Sequence, residues 1–191
     1  MDTLDALQQA TTATEKIVAG VQPSQLGAAT PCTEWDVRAL LNHMLGAMQL
    51  GAAILTDTAP EHPTPPGGLP DVDLVGGDAG AAYRAASENL LAAARFKGAL
   101  DAVHTTPLGE MPGAVLGGIL ALDLLVHGWD LAEATGQDAA FDPDLTAHVH
   151  GFAEQAIQPG MRDGGLVGPV VPVDEGAPVM DRLVGHMGRT P

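Results

Sequence analysis

The segment 119–136, ILALDLLVHGWDLAEATG, constrains the fold of this chain more than any other. Drawn as a helix with about 100° per residue, its apolar side chains cover nearly the whole circumference. A helix that is apolar on all sides is typical of the centre of a bundle. Asp123 and His127 are four residues apart and project from the same face. Both side chains should therefore lie inside the bundle and not on its outer surface.

The remaining sequence predicts an all-α protein. Proline- and glycine-rich stretches separate apolar segments with helical periodicity, and no alternating pattern of strands and helices is present. We predict helices over 2–19, 33–55, 73–97 and 112–136, with Thr33 capping the second, a fifth and shorter helix after Asp142, and a short extended piece at 102–105. The tail, 160–191, is irregular apart from a helical segment in APVMDRLVGHMG. The whole chain, 1–191, is thus predicted to form one domain, a four-helix bundle with an additional short helix and an irregular C-terminal tail.

Charge and cysteine content exclude several classes of function. The chain carries 24 acidic and 8 basic residues, a formal net charge of −16, which disfavours contact with nucleic acid or an anionic membrane. Its single cysteine cannot form an internal disulfide. The N-terminus lacks the basic and apolar regions of a signal peptide, and we find no apolar run of transmembrane length. We therefore expect a cytoplasmic protein that acts on a small molecule. Its long apolar helices are compatible with a homodimer but do not require one.

A buried carboxylate needs a partner, because an unpaired one costs several kcal/mol. One solution is a hydrogen bond between Asp123 and His127. The other is a divalent metal held by both side chains, and this needs a third ligand. His43 is the candidate, since it interrupts the apolar stripe of the second helix and bundles build metal sites from facing helices. Two imidazoles and one carboxylate suit catalytic zinc, and they also suit nickel, iron or manganese.

Other polar and aromatic residues near these positions have two interpretations each. Asp130 shares the face of His127 and would either orient that imidazole or pair with Arg38 or another basic residue. Arg38 is itself predicted to be an internal ion-pair partner. Cys32 precedes a helix N-terminus, where a reactive thiolate is stabilised, but small buried cysteines usually serve packing. Trp35 and Trp129 are expected to wall the end of the bundle rather than stack on substrate. We expect local or solvent hydrogen bonds for the remaining histidines, His62, His104, His148, His150 and His186.

Three blocks of sequence resemble a known family. They are TPCTEWDVRALLNHMLG (30–46), DLLVHGWDLAEATGQ (123–137) and GPVVPVDEGAPVMDRLVGHMGRTP (168–191). Together they resemble actinobacterial metal-binding proteins of the DinB/YfiT-like superfamily, and within it the N-terminal domain of mycothiol-dependent maleylpyruvate isomerase. The likeness covers nearly the whole chain. It implies a DinB-like four-helix bundle with a central divalent metal, usually zinc or nickel.

The resemblance also implies the ligands and a thiol cofactor. The histidine that ends the W-x-V-R-x-L-x-x-H motif is His43, and the second block supplies Asp123 and His127. The isomerase branch has glutamate where this chain has Asp123, which is one methylene shorter. The isomerase also has a C-terminal domain that contributes to its active site, whereas this sequence has only a short tail. We therefore expect metal binding to transfer from the family, with mycothiol as a candidate cofactor, but not the isomerisation reaction itself.

Two functions of different classes follow. The first is a metal-dependent thiol transferase, isomerase or hydrolase that acts on a small electrophile, with an open metal position activating the substrate, water or thiol. The second is a non-catalytic module that binds metal or sequesters a small molecule. An open metal position would favour the enzyme, and a fourth protein ligand would favour the module. A third reading, without metal, leaves Asp123 and His127 as a structural pair.

Overall fold

The computed structural model describes residues 1–191 and confirms the all-α prediction, with one small hairpin as the only sheet. The elements, in chain order, are α1 (Thr3–Gly20), α2 (Val37–Leu55), α3 (Ala79–Ala94), β1 (Val103–Thr106), β2 (Gly109–Pro112), α4 (Gly113–Thr135), α5 (Pro143–Ala156), α6 (Pro159–Asp163) and α7 (Val179–His186).

The first four helices form the bundle. Helix α1 packs against α3 and α4, and α2 packs against the same two helices, so that the four surround one core. Helix α5 lies on α4 and α1, and α7 packs against α5. The antiparallel hairpin β1–β2 leads directly into α4 and also contacts α2.

Helix α4 is the central element, as its sequence predicted. The expectation that no apolar segment reaches transmembrane length was wrong for α4, which is long and apolar enough by composition. However, 72% of its 18-residue apolar window is buried inside the protein. Leu124, Leu125 and Leu131 have no exposed surface. The apolarity of α4 is therefore explained by the core, and the helix ends at Gly136, which adopts a left-handed φ of 68°.

The predicted start of α2 was wrong. Asp36, not Thr33, caps this helix by accepting a hydrogen bond from the backbone N–H of Ala39 at 2.8 Å. The preceding residues instead form a turn, in which the Thr30 hydroxyl donates to the carbonyl oxygen of Trp35. The Thr30 hydroxyl thus supplies the Trp35 carbonyl oxygen with a hydrogen bond that does not require a helix. A helical pattern in the sequence gives no information about such a contact.

Three other features also differ from the prediction. Helix α3 begins at Ala79, capped by Asp78, since Asn42 and Arg38 of α2 hold residues 73–76 outside the helix. The extended piece at 102–105 is the first strand of a hairpin with a second strand that was not predicted. The tail contains the short helix α6, which was not predicted because five residues are too few to show helical periodicity in the sequence. The predicted starts of α4 and α5 are confirmed to within one residue.

Candidate metal centre

The three predicted ligand residues meet between α2 and α4. His43 Nε2 lies 3.1 Å from Asp123 Oδ1, and His127 Nε2 lies 3.5 Å from the same oxygen. The two imidazole centroids are 5.0 Å apart. Both histidines are buried, whereas the Asp123 side chain is 22% exposed. The carboxylate of Asp123 is therefore less buried than the two imidazoles and is partly accessible to solvent.

Each imidazole is oriented by a hydrogen bond on its outer side. His43 Nδ1 lies 2.7 Å from the carbonyl oxygen of Gly68, and His127 Nδ1 lies 2.9 Å from Asp130 Oδ2. Both partners only accept hydrogen bonds, so Nδ1 is the protonated nitrogen in each ring. The Nε2 lone pair of a neutral ring then points at Asp123, an arrangement that metal-binding histidines commonly have.

Acceptor atoms therefore face one another at the centre. Three such atoms this close repel unless a proton or a metal ion lies among them. The second oxygen, Asp123 Oδ2, is buried and has no hydrogen-bond partner. Ligand bonds of 2.0–2.2 Å at tetrahedral angles place neighbouring ligand atoms roughly 3.3–3.6 Å apart. The separation of 3.5 Å lies within this range, and that of 3.1 Å is slightly shorter, so the residues present fit a divalent metal after a small shift of the His43 ring.

The electrostatics of the centre follow from burial and opposite charges. Burial alone raises the pKa of Asp123, but the imidazoles of His43 and His127 outweigh it and hold this pKa well below its usual range. Burial alone lowers the pKa of His127, but Asp123 and then Asp130 raise it to about 9. Without a metal, protonated His127 therefore places a positive charge beside Asp123.

Arg189 was missed by the sequence analysis. Its Nε and Nη2 atoms lie 3.1 and 2.8 Å from the two oxygens of Asp130, which has no exposed surface. Burial raises the pKa of Asp130, but His127 and Arg189 together lower it below its usual value. A signal did exist in the sequence, since Arg189 is one of only 8 basic residues and lies in a block that resembles the family. Asp130 thus both orients His127 and pairs with a basic residue, which is Arg189 and not Arg38.

The proline-rich loop after α2 covers the centre and is anchored by α2 itself. Asn42 Oδ1 accepts from the backbone N–H groups of Leu74 and Val75 at 2.6 and 3.3 Å. Arg38, predicted as an internal ion-pair partner, pairs instead with Asp73 at the surface, where its side chain is 38% exposed. These contacts fix the end of the loop that brings the Gly68 carbonyl to His43.

A cavity of about 650 Å³ opens onto the centre. His43, Asp123 and His127 are among its lining residues, so a position beside the three ligand atoms is reachable from the cavity. The Trp35 ring lies 4.6 Å from His43 and 6.0 Å from His127, centroid to centroid, and covers this part of the cavity. Trp129 is buried in the core and does not line the cavity.

A second set of metal-type side chains overlaps the first. Ligand atoms of Cys32, His127 and Asp130 lie within 4.8 Å of one another. Arg189 Nη2 lies 3.8 Å from the Cys32 sulfur and pairs with Asp130, so its positive charge opposes a cation there. The set of His43, Asp123 and His127, which is also within 4.8 Å, has no such cation against its ligand atoms.

Cys32 should alkylate with the pH dependence of a weakly acidic thiol. Burial raises its pKa, and the nearby Arg189 only partly opposes this effect. The rate of reaction with iodoacetamide should therefore reach half its maximum above pH 8.5, the ordinary thiol value. The urea-unfolded protein is the control, because Cys32 is its only thiol. A midpoint below that of the unfolded chain would contradict the prediction and indicate an activated cysteine.

The remaining histidines lie away from the centre. His104 Nε2 donates to the carbonyl oxygen of Ala99 at 2.7 Å, and His186 Nε2 lies 3.2 Å from a nitrogen of Arg162. The His150 and His186 rings are 6.0 Å apart. His148 is exposed on α5. Of the sequence-predicted residues, the structure thus brings together His43, Asp123 and His127, with Asp130, Cys32 and Trp35 next to them.

Comparisons with known proteins identify the family of this chain. The family model described as the mycothiol maleylpyruvate isomerase N-terminal domain matches residues 7–132. Two uncharacterized proteins, from two strains of Mycobacterium tuberculosis, are 35% identical over 192 residues, covering 100% of this chain and 99% of each relative. No solved structure gives a significant match. The matched segment contains α2 and nearly all of α4, and with them all three residues of the centre, and the chain belongs to the mycothiol maleylpyruvate isomerase N-terminal domain family.

Proposed function

We propose that this protein binds one divalent metal ion through His43, Asp123 and His127. The observation that carries the proposal is the set of inward-facing acceptors, with both Nδ1 atoms bonded on the outside and Asp123 Oδ2 without a partner. Zinc is the metal we favour, since two imidazoles and a carboxylate are ligands of catalytic zinc sites, and nickel accepts the same donors.

We further propose that the bound metal serves catalysis. Three protein ligands beside a cavity leave a coordination position for substrate, which distinguishes catalytic from structural zinc sites. The proposed reaction is thiol transfer, isomerisation or hydrolysis of a small electrophile, and a low-molecular-weight thiol such as mycothiol is the proposed co-substrate, as the family name suggests. When bound, the metal would polarise the substrate or lower the pKa of a bound thiol or water.

The chain's own residues have distinct roles in this proposal. Asp130 keeps the Nδ1 proton of His127 and so directs the Nε2 lone pair to the centre, and Gly68 does the same for His43. His127 and Arg189 together hold the pKa of Asp130 below its usual value and so keep it ionised. The Trp35 ring shields the two imidazoles from bulk water.

Elemental analysis by mass spectrometry tests the metal. Protein purified without a histidine tag should contain about one equivalent of zinc or nickel, and His127→Ala should lose it. His148→Ala, which removes an exposed histidine on α5, is the matched control and should keep the metal. If the native protein lacks metal and does not bind added zinc, the proposal is wrong and Asp123 and His127 are a structural pair.

A turnover assay tests catalysis. The metal-loaded protein, given mycothiol and a neutral electrophile such as an unsaturated ketone, should convert the electrophile to product faster than His127→Ala does, as followed by chromatography. Stoichiometric binding of the electrophile without turnover would contradict catalysis. That result would support the alternative, a module that sequesters a small molecule.

A further inference from the structure

The cavity continues from the metal centre along two helical stripes. On α2, Ala47, Leu50 and Ile54 follow His43 toward the C-terminal end of the helix. On α4, residues on the same side as His127 continue toward the N-terminal end as Leu120, Ile119 and Leu116. Beyond the centre, neither stripe contributes a charged side chain to the cavity.

The length of this apolar section follows from the helices. His43 and Ile54 are eleven residues apart, as are His127 and Leu116, which corresponds to about 16 Å along each axis. The cavity lining includes both ends of both stripes. A volume of about 650 Å³ is within the range of small-molecule sites. The lining residues of both stripes thus form an apolar groove that extends from the proposed metal position.

The charges that line the groove are few. Besides the three residues of the centre, only Glu34 and Arg189 carry formal charge in the lining. The Arg189 guanidinium already pairs with both oxygens of Asp130 and donates to the carbonyl oxygen of Met187. No other cationic side chain is present to bind a substrate carboxylate. A substrate with a carboxylate in the groove would therefore place this charge against apolar walls without a basic partner, which weakens binding.

Because the lining is polar at the metal centre and apolar along the groove, we infer the substrate class: a molecule with one electrophilic, metal-binding head group and an uncharged, apolar tail. The inference rests on the proposed function for the head group, whereas the tail depends only on the groove. Half-buried apolar side chains such as Leu50, Ile54 and Ile119 gain the most from an occupant, because each is still partly in contact with water. A dianionic substrate is selected against.

A series of alkyl hydroxamates of increasing length tests the inference by calorimetry on the zinc-loaded protein. Each added methylene that enters the groove should tighten binding about fourfold. Octanohydroxamate should therefore bind at least about 100-fold more tightly than acetohydroxamate. Suberic acid monohydroxamate, which carries a carboxylate at the far end, should lose this gain. Equal affinities across the alkyl series, or tight binding of the charged analogue, would overturn the inference.

Two substitutions in the groove sharpen the test. Ile119→Asp and Ile54→Asp place a carboxylate at half-buried positions on either helix and should abolish the gain with chain length. Zinc content should remain unchanged in Ile54→Asp, which lies about three turns from His43 and is the variant that isolates the tail from the metal centre. Val103→Asp is the matched control, because Val103 is 63% exposed and lies outside the groove. An unaltered gain in both folded groove variants would contradict the assignment.

A metal-free arm separates this inference from the metal proposal. The neutral probe N-phenyl-1-naphthylamine should bind the groove with enhanced fluorescence even after chelation, and about tenfold more weakly in Ile119→Asp. If hydroxamates do not bind, but the probe binds the native protein and binds Ile119→Asp more weakly, the groove is supported and the metal proposal is wrong. If the probe does not bind the native protein, the inference itself is wrong.

Discussion

Replacing Arg189 with methionine is expected to lower the free energy of unfolding by about 3–5 kcal/mol, because the fully buried Asp130 loses its guanidinium partner. Asp130→Asn should have a similar effect, since it leaves Arg189 buried with an uncompensated charge. The side chains are 12% and 0% exposed, so water cannot replace the missing partner. Urea unfolding followed by circular dichroism at 222 nm measures the loss.

The double variant, Asp130→Asn with Arg189→Met, distinguishes pairing from simple loss of packing. Removing both charges should cost less than the sum of the single changes, with a coupling of about 0.5–3 kcal/mol. Arg38→Met is the matched control, because Arg38 also pairs with an aspartate but at the surface. We expect its effect to be within the error of the measurement. If the effects of the single changes are additive, or if the control loses as much stability, the pairing of Asp130 with Arg189 does not account for the loss in free energy of unfolding.

Zinc is expected to stabilise the folded protein by about 4 kcal/mol when its free concentration is 1,000 times the dissociation constant. The physical reason is that the bundle assembles His43, Asp123 and His127 only in the folded state. For a chain of this size the gain corresponds to a rise in Tm of roughly 8–16 °C. Thermal unfolding of the chelated protein, with and without added zinc, measures it.

Two controls make this result specific. His43→Ala and His127→Ala should show little stabilisation by zinc, because each removes a proposed ligand from the centre. Magnesium at the same concentration should have little effect on the native protein, although it too can bind the many acidic groups at the surface. An equal zinc effect in the native protein and both variants would assign the binding to surface carboxylates and contradict the proposed centre.

The sequence predicted the helical class and the candidate ligands for a common physical reason. Helical periodicity places Asp123 and His127 on one face of α4, and the apolar surroundings show that this face is buried. His43 interrupts the apolar stripe of α2 in the same manner. Such patterns depend only on positions within one helix, and these are visible in the sequence.

Contacts between distant segments could not be predicted in this way. Whether α2 is capped by Thr33 or Asp36 depends on the hydrogen bonds of the preceding turn. Arg38 was assigned an internal partner, but it meets Asp73 at the surface because the loop after α2 returns along that helix. In both places several polar groups compete for the same partners, and only the folded chain decides among them.

By itself, then, the sequence determined a helical bundle and three polar residues directed to its interior, because helix formation and burial follow from residue spacing. The tertiary structure alone decided what surrounds them. It brings Gly68 to His43 and Arg189 to Asp130, residues that are 25 and 59 positions apart in the chain. It also leaves an apolar groove between α2 and α4. These features depend on how loops and the tail pack against the bundle, for which no local periodicity exists.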